Sequence, residues 1–168
     1  MRTDIETLYG IKVDPSMTIW PWLVRHAAWL IERFLVRANG ATSYEDCYGV
    51  SYRGTLIKFG ETAIFRHQMS PGGKAAGGRV IKKADNRFEK GIFVGKRYDN
   101  NEMLFATKTG VYGSRTVKAL PASQKSDLSM LKDMLGVPWE MQNQVRPGRR
   151  PNAAPPQALP VPKERENQ

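Results

Sequence analysis

The feature that most constrains this chain is a change of apolar period near residue 55. Before it, large apolar residues recur every three or four positions. After it they alternate or fall in short runs between turn residues. The first pattern belongs to helices and the second to strands. In WPWLVRHAAWLIERFLVRANG, Leu23, Ala27, Leu30, Ile31, Phe34 and Leu35 form one helical stripe, and Trp22 and Trp29, seven apart, share a second face. A helix apolar on more than one stripe needs neighbours on two sides. Thr18 is placed to cap it, Pro21 sits harmlessly in its first turn, and Asn39-Gly40 can end it. Ile5, Leu8, Tyr9 and Gly10 suggest the frayed end of an earlier helix. Thr42 and Glu45 have capping-box spacing for a short helix to Tyr48 and Gly49. Cys47 is expected to pack there as a small hydrophobe. His26 has no acidic or cysteine partner three or four residues away. It is therefore expected to be a hydrogen-bonded packing residue, not a base or a metal ligand.

The later pattern gives strands. LIKFGETAIFRH holds one or two. GIFVGKR, EMLFATK and VYGSRTVKAL follow, divided by Asp99-Asn100-Asn101 and by Thr109-Gly110. That is an antiparallel meander, and about five short strands close naturally into a small curled barrel. MSPGGKAAGGRV, within it, reads as a mobile glycine-rich excursion, because it lacks the Lys-Ser/Thr ending of a phosphate loop. Leu128, Leu131, Met134 and Leu135 mark a short helix ended by Gly136 and Pro138. Trp139 then either packs back or stands out as an anchor. Six prolines in 145–168 point to a disordered or polyproline-like tail. The expected class is α+β: helices, a small antiparallel barrel, a short helix and a proline-rich tail. The expected segments are 1–50, 51–120, 121–144 and 145–168.

Lys plus Arg total 26 against 16 Asp plus Glu, and +9 of the net +10 lies within 51–120. This is either a solvated basic surface or a surface for phosphates. One cysteine excludes an intramolecular disulfide and a four-cysteine zinc site. Cys47, His26 and His67 are too few and too scattered for a Cys/His module. No run reaches the roughly 18 apolar residues of a membrane span, and MRTDIETLYG is not a secretory leader. The candidate backbone contacts are Lys58, Arg66, Lys74, Arg79, Lys82, Lys83, Arg87, Lys90, Lys96, Arg97, Arg115 and Lys118. They form an upper bound, since alternation in KGIFVGKR sends Lys96 and Arg97 to opposite sides.

Two blocks resemble the integrase region of Ty1/copia-type LTR-retrotransposon Pol polyproteins. The tryptophan-rich helix followed by Gly40, Ala41, Thr42, Ser43, Tyr44, Glu45 and Gly49 is similar to the family's G-K-T-P-Y-E turn, with Ala41 and Ser43 departing from it. Lys83, Asp85 and RFEKGIFVG resemble its K-x-D-x-R-x-x-K-G-I-F-L-G segment. Val111 to Val117 resembles its V-x-x-S-R-D-V strand, with Thr116 in place of aspartate. The resemblance implies the last helices of an RNase H-like core in 1–50 and an SH3-like barrel in 51–120. It also implies nonspecific DNA binding, a part in DNA integration and a nuclear location. The family's two aspartates and glutamate, which hold Mg2+ or Mn2+, would lie before Met1. Asp4, Glu6 and Asp14 do not replace them, because the first two share no helix face and the third follows in a loop. No catalytic residue, metal site or cofactor is therefore expected in this chain. Trp20, Trp22 and Trp29, lacking the core sheet they would normally cover, are expected to be exposed or to drive self-association. The competing reading is a protein-interaction or structural remnant without a DNA role.

Overall fold

The computed structural model describes residues 1–68 and 86–143. The glycine-rich excursion and the proline-rich tail lie outside the described residues. Helix α1 (Arg2–Tyr9) ends at Gly10, whose φ of 64° is the left-handed conformation that suits glycine. It does not stand loose as a frayed end. Ile5 and Tyr9 are buried, and the Tyr9 hydroxyl donates to the Gly60 carbonyl at 2.6 Å. Helix α2 (Ile19–Phe34) stops four residues earlier than the Asn39-Gly40 signal suggests. Leu35 turns extended, and Val36 bridges to Thr42 across a turn. Thr18 precedes α2 without capping it through its side chain. Helix α3 (Ser43–Tyr48) has the capping box its sequence announces. Glu45 N–H donates to the Thr42 hydroxyl at 3.1 Å, and Thr42 N–H donates to the Glu45 carboxylate at 2.8 Å. Cys47 is exposed there, contrary to the expectation of packing, because α3 buries none of its own residues.

Five strands form one antiparallel sheet: β1 (Thr62–Arg66), β2 (Phe88–Lys96), β3 (Met103–Thr107), β4 (Gly110–Ser114) and β5 (Val117–Lys118). Their order is β4-β3-β2-β1-β5. The meander of β2, β3 and β4 lies where its turn residues put it. LIKFGETAIFRH supplies one strand, β1, and VYGSRTVKAL is broken at Arg115-Thr116 into β4 and β5. Helix α4 (Leu128–Asp133) is capped by Asp127, whose carboxylate accepts from Met130 N–H at 3.1 Å.

Both faces of β2 are covered. Ile92 and Val94 join Ile5, Tyr9, Ile19, Trp22, Leu131 and Met134 in one core, and Phe93 joins Phe65, Phe105 and Ala63 in a second. The first core draws on 1–50, 51–120 and 121–144 together. The buried face of α2 is Ile19, Trp22, His26, Trp29 and Arg33, not the leucine-rich stripe. Trp22 and Trp29 are fully buried, and Trp22 Nε1–H donates to the Gly136 carbonyl at 2.9 Å. The expected exposed face of Trp20, Trp22 and Trp29 is thus corrected: Trp22 lies in the core with the sheet, Trp29 lies against His26, Tyr52 and Lys96, and Trp20 is half-buried against the same core. Val24, Ile31, Phe34 and Leu35 point outward instead. Trp139 is exposed and does not pack back. Among the described residues no helix is long and apolar enough to cross a membrane.

Candidate nucleic-acid interface

The strand register places several of the basic candidates. Ile64 is flanked by Lys90 on β2 and Lys118 on β5, and Arg66 pairs with Phe88. Paired residues in a sheet share a face, as do residues two apart on a strand. Arg66, Lys90 and Lys118 therefore lie on the face that carries Thr62 and Ile92. The helices cover the Ile92 end of that face, while Arg66, Lys90 and Lys118 are exposed. Lys118 Nζ sits 4.5 Å over the Phe88 ring.

At the uncovered end a cleft of about 460 Å³ is lined by Arg66, Arg87 and Arg115, with His67, Gln68 and Glu102. The three arginines come from the end of β1, the approach to β2 and the β4–β5 corner. Backbone bonds hold these segments together. Arg66 N–H donates to the Thr116 carbonyl at 3.0 Å, and His67 N–H donates to the Arg87 carbonyl at 2.9 Å. Ser114, fully buried, donates its hydroxyl to the Arg66 carbonyl at 2.8 Å and accepts from Thr116 N–H at 3.2 Å. The corner is therefore tied to the end of β1, and Arg115 projects from it with 70% of its side chain exposed.

Glu102, 3% exposed, lies beneath the arginines. Gln68 Nε2–H donates to its Oε1 at 2.8 Å, Arg115 Nε is 3.4 Å from Oε1, and Arg97 Nε is 3.8 Å from Oε2. His67 is buried with Nε2 2.6 Å from Glu89 Oε2, and its ring meets Phe65 and Tyr112 edge-on. Three arginines against one carboxylate in the lining leave the cleft positive. It suits phosphate oxygens, which planar guanidinium groups bind in pairs of hydrogen bonds.

The other candidates fall elsewhere. Lys96 is corrected: it is 3% exposed, donating to the Tyr52 hydroxyl at 2.9 Å and to the Thr55 carbonyl, against Trp29. The β-bulge at Phe93–Gly95 shifts its register, and Trp29 of α2 with the 52–55 segment closes over it. Arg97 is only 23% exposed and faces Glu102. Lys58 is exposed but lies apart, beside a cavity of about 260 Å³ with Asp4, His26 and Phe59. Lys74, Arg79, Lys82 and Lys83 lie outside the described residues. Nothing along the sequence marks the network around Glu102, His67, Gln68 and Ser114. Its partners are far apart in sequence, and no spacing motif joins them.

His26 packs between Trp29 and Phe59, with ring centroids 5.6 and 5.1 Å away. Its Nδ1 has no hydrogen-bond partner, so it is a packing histidine without the expected bond there. Burial, helped by the charges of Arg25 and Lys96, pushes the imidazole down to about 4. Asp4 pairs with the Met1 ammonium, Glu6 with Arg2 and Val13 N–H, and Asp14 with Ser16 N–H. These three carboxylates do not converge. Among the described residues no group of three His, Cys, Asp or Glu is placed to hold a metal ion.

No family model, curated protein or solved structure matches this chain.

Proposed function

We propose that this chain is the DNA-binding part of a retrotransposon integrase, gripping the phosphate backbone without base readout and acting in DNA integration in the nucleus. The observation that carries this reading is the convergence of Arg66, Arg87 and Arg115, from three separate segments, on one cleft beside Lys90 and Lys118. Phosphate contacts of this kind give affinity and register but no sequence information. The strand-transfer chemistry of the family, with its Mg2+ or Mn2+, is assigned to carboxylates outside this chain.

The sheet is read as an SH3-like barrel. Support comes from the two residues, Arg115 and Thr116, that connect edge strand β4 to edge strand β5. Two residues span too little distance unless the sheet curls until its edges meet. The origin of α1 and α2 in an RNase H-like core rests on the sequence blocks. A second reading, protein interaction, draws on the apolar outer face of α2, where Val24 is 55% and Ile31 57% exposed.

The test is fluorescence anisotropy with labelled duplexes of unrelated sequence, titrated with salt. Five phosphate contacts give a slope of log K against log salt of about −4.5. Replacing Arg66, Arg87 and Arg115 together by alanine should bring it about 3 units closer to zero, equally for every duplex. Absence of binding at low salt by folded protein overturns the reading. A loss confined to one sequence overturns backbone-only recognition.

A further inference from the structure

We propose that Glu102 is the positioning residue of the arginine cleft: an acidic side chain that strengthens binding of a polyanion. The proposal rests on the backbone-binding reading above and adds to it a residue that simple charge counting would score as harmful. Glu102 enters β3 just after the Asp99–Asn101 turn, where the Asn100 side-chain carbonyl accepts from its N–H at 3.0 Å. Its own carbonyl accepts from Arg97 N–H at 2.9 Å. The backbone is thus held on both sides, and the side chain passes under the sheet edge into the cleft.

The carboxylate meets groups from three segments there. Oε1 takes Gln68 Nε2 at 2.8 Å and faces Arg115 Nε at 3.4 Å, while Oε2 faces Arg97 Nε at 3.8 Å. Gly113 on β4 leaves room for it: a Cβ there would stand 3.0 Å from Oε2. Arg115 is otherwise a long, largely exposed side chain on a corner, with many rotamers to lose on binding. The ion pair of its Nε with a buried carboxylate leaves the two terminal nitrogens of the guanidinium for phosphate. A side chain held this way forfeits less freedom when the ligand arrives. Arg97, 23% exposed and outside the cleft lining, adds positive potential beside the carboxylate.

Two expectations then have opposite sign. Glu102→Gln raises the net charge by one, so long-range attraction alone predicts tighter binding to DNA. Loss of positioning predicts weaker binding. Glutamine has the same shape and can still accept from Gln68, but its neutral amide forms no ion pair with Arg115 or Arg97.

The experiment is anisotropy with the full chain and a labelled duplex, with thermal melting of every variant. Glu102→Gln is expected to bind about fivefold more weakly. Glu102→Asp, which restores the charge, should recover part of the affinity. Arg115→Ala combined with Glu102→Gln should be no weaker than Arg115→Ala alone, because both remove one coupled unit. Unchanged or tighter binding by folded Glu102→Gln overturns the positioning role and leaves the backbone reading standing. Absence of binding by the unaltered chain overturns both. If Glu102→Gln fails to fold, Gly113→Ala decides. It crowds Oε2 without altering charge, so weakened binding supports the role and unchanged affinity overturns it.

Discussion

At the scale of single residues, burial decides what a charged or titratable side chain can do. Lys96 and Arg97 are neighbours on a basic run, yet one sits under the helices and the other beside Glu102. His26 shows the same logic through pH. Its imidazole is held down at about 4, whereas an exposed imidazole titrates near 6.5. Between those values the unfolded chain binds a proton that the folded chain refuses, so stability falls as pH drops from about 6.5 to 4. The loss at pH 5 should be about 2 kcal/mol relative to neutral pH. Urea denaturation of the protein and of His26→Leu at both pH values checks this. The variant should lose most of the difference, and an equal slope in both would contradict the assignment.

At the scale of elements, α2 shows how a helix with two apolar stripes chooses between them. The tryptophan side carries more area and lies against β2, so it takes the core. The other side keeps Val24, Ile31, Phe34 and Leu35 outside, and only the last turn touches the aromatic group around Tyr52. An apolar helix face in water favours covering. Light scattering should therefore show self-association that grows with concentration in the micromolar range. Val24→Glu with Ile31→Glu should abolish it, while Trp29, buried against Lys96 and Tyr52, takes no part. A monomer at all concentrations would remove this face as the basis of a protein-interaction reading.

At the scale of the whole molecule, the helices and the sheet share one core. Ile5 and Trp22 from the first 50 residues meet Ile92 and Leu104 from the sheet and Met134 from the segment beyond. Removing any of these segments would expose the apolar surface of the others. Thermal unfolding should accordingly be one cooperative transition, coincident by tryptophan fluorescence and far-ultraviolet circular dichroism. Two resolved transitions would show that 1–50 folds apart from 51–120.

Local physics was legible in the linear chain. The capping box at Thr42 and Glu45, the turn residues after β2 and β3, and the glycines at 10 and 49 act within a few residues. Their effect therefore follows from local conformation alone. The helix-to-strand switch and the excess of positive charge in 51–120 are of the same kind. Which stripe of α2 is buried, where Trp139 and Cys47 end up, and that Lys96 is covered depend on which surfaces meet. Periodicity marks an apolar face without naming its partner. The cleft is the clearest case. Arg66, Arg87 and Arg115 are 21 and 28 residues apart, and only the pairing of β1 with β2 and β5 brings them to one edge. Neighbours along the chain set the type and order of the elements and the sign of the charge, so these are readable from sequence. Which charges gather, and which buried carboxylate lies among them, depends on contacts between distant segments and emerges only from the fold.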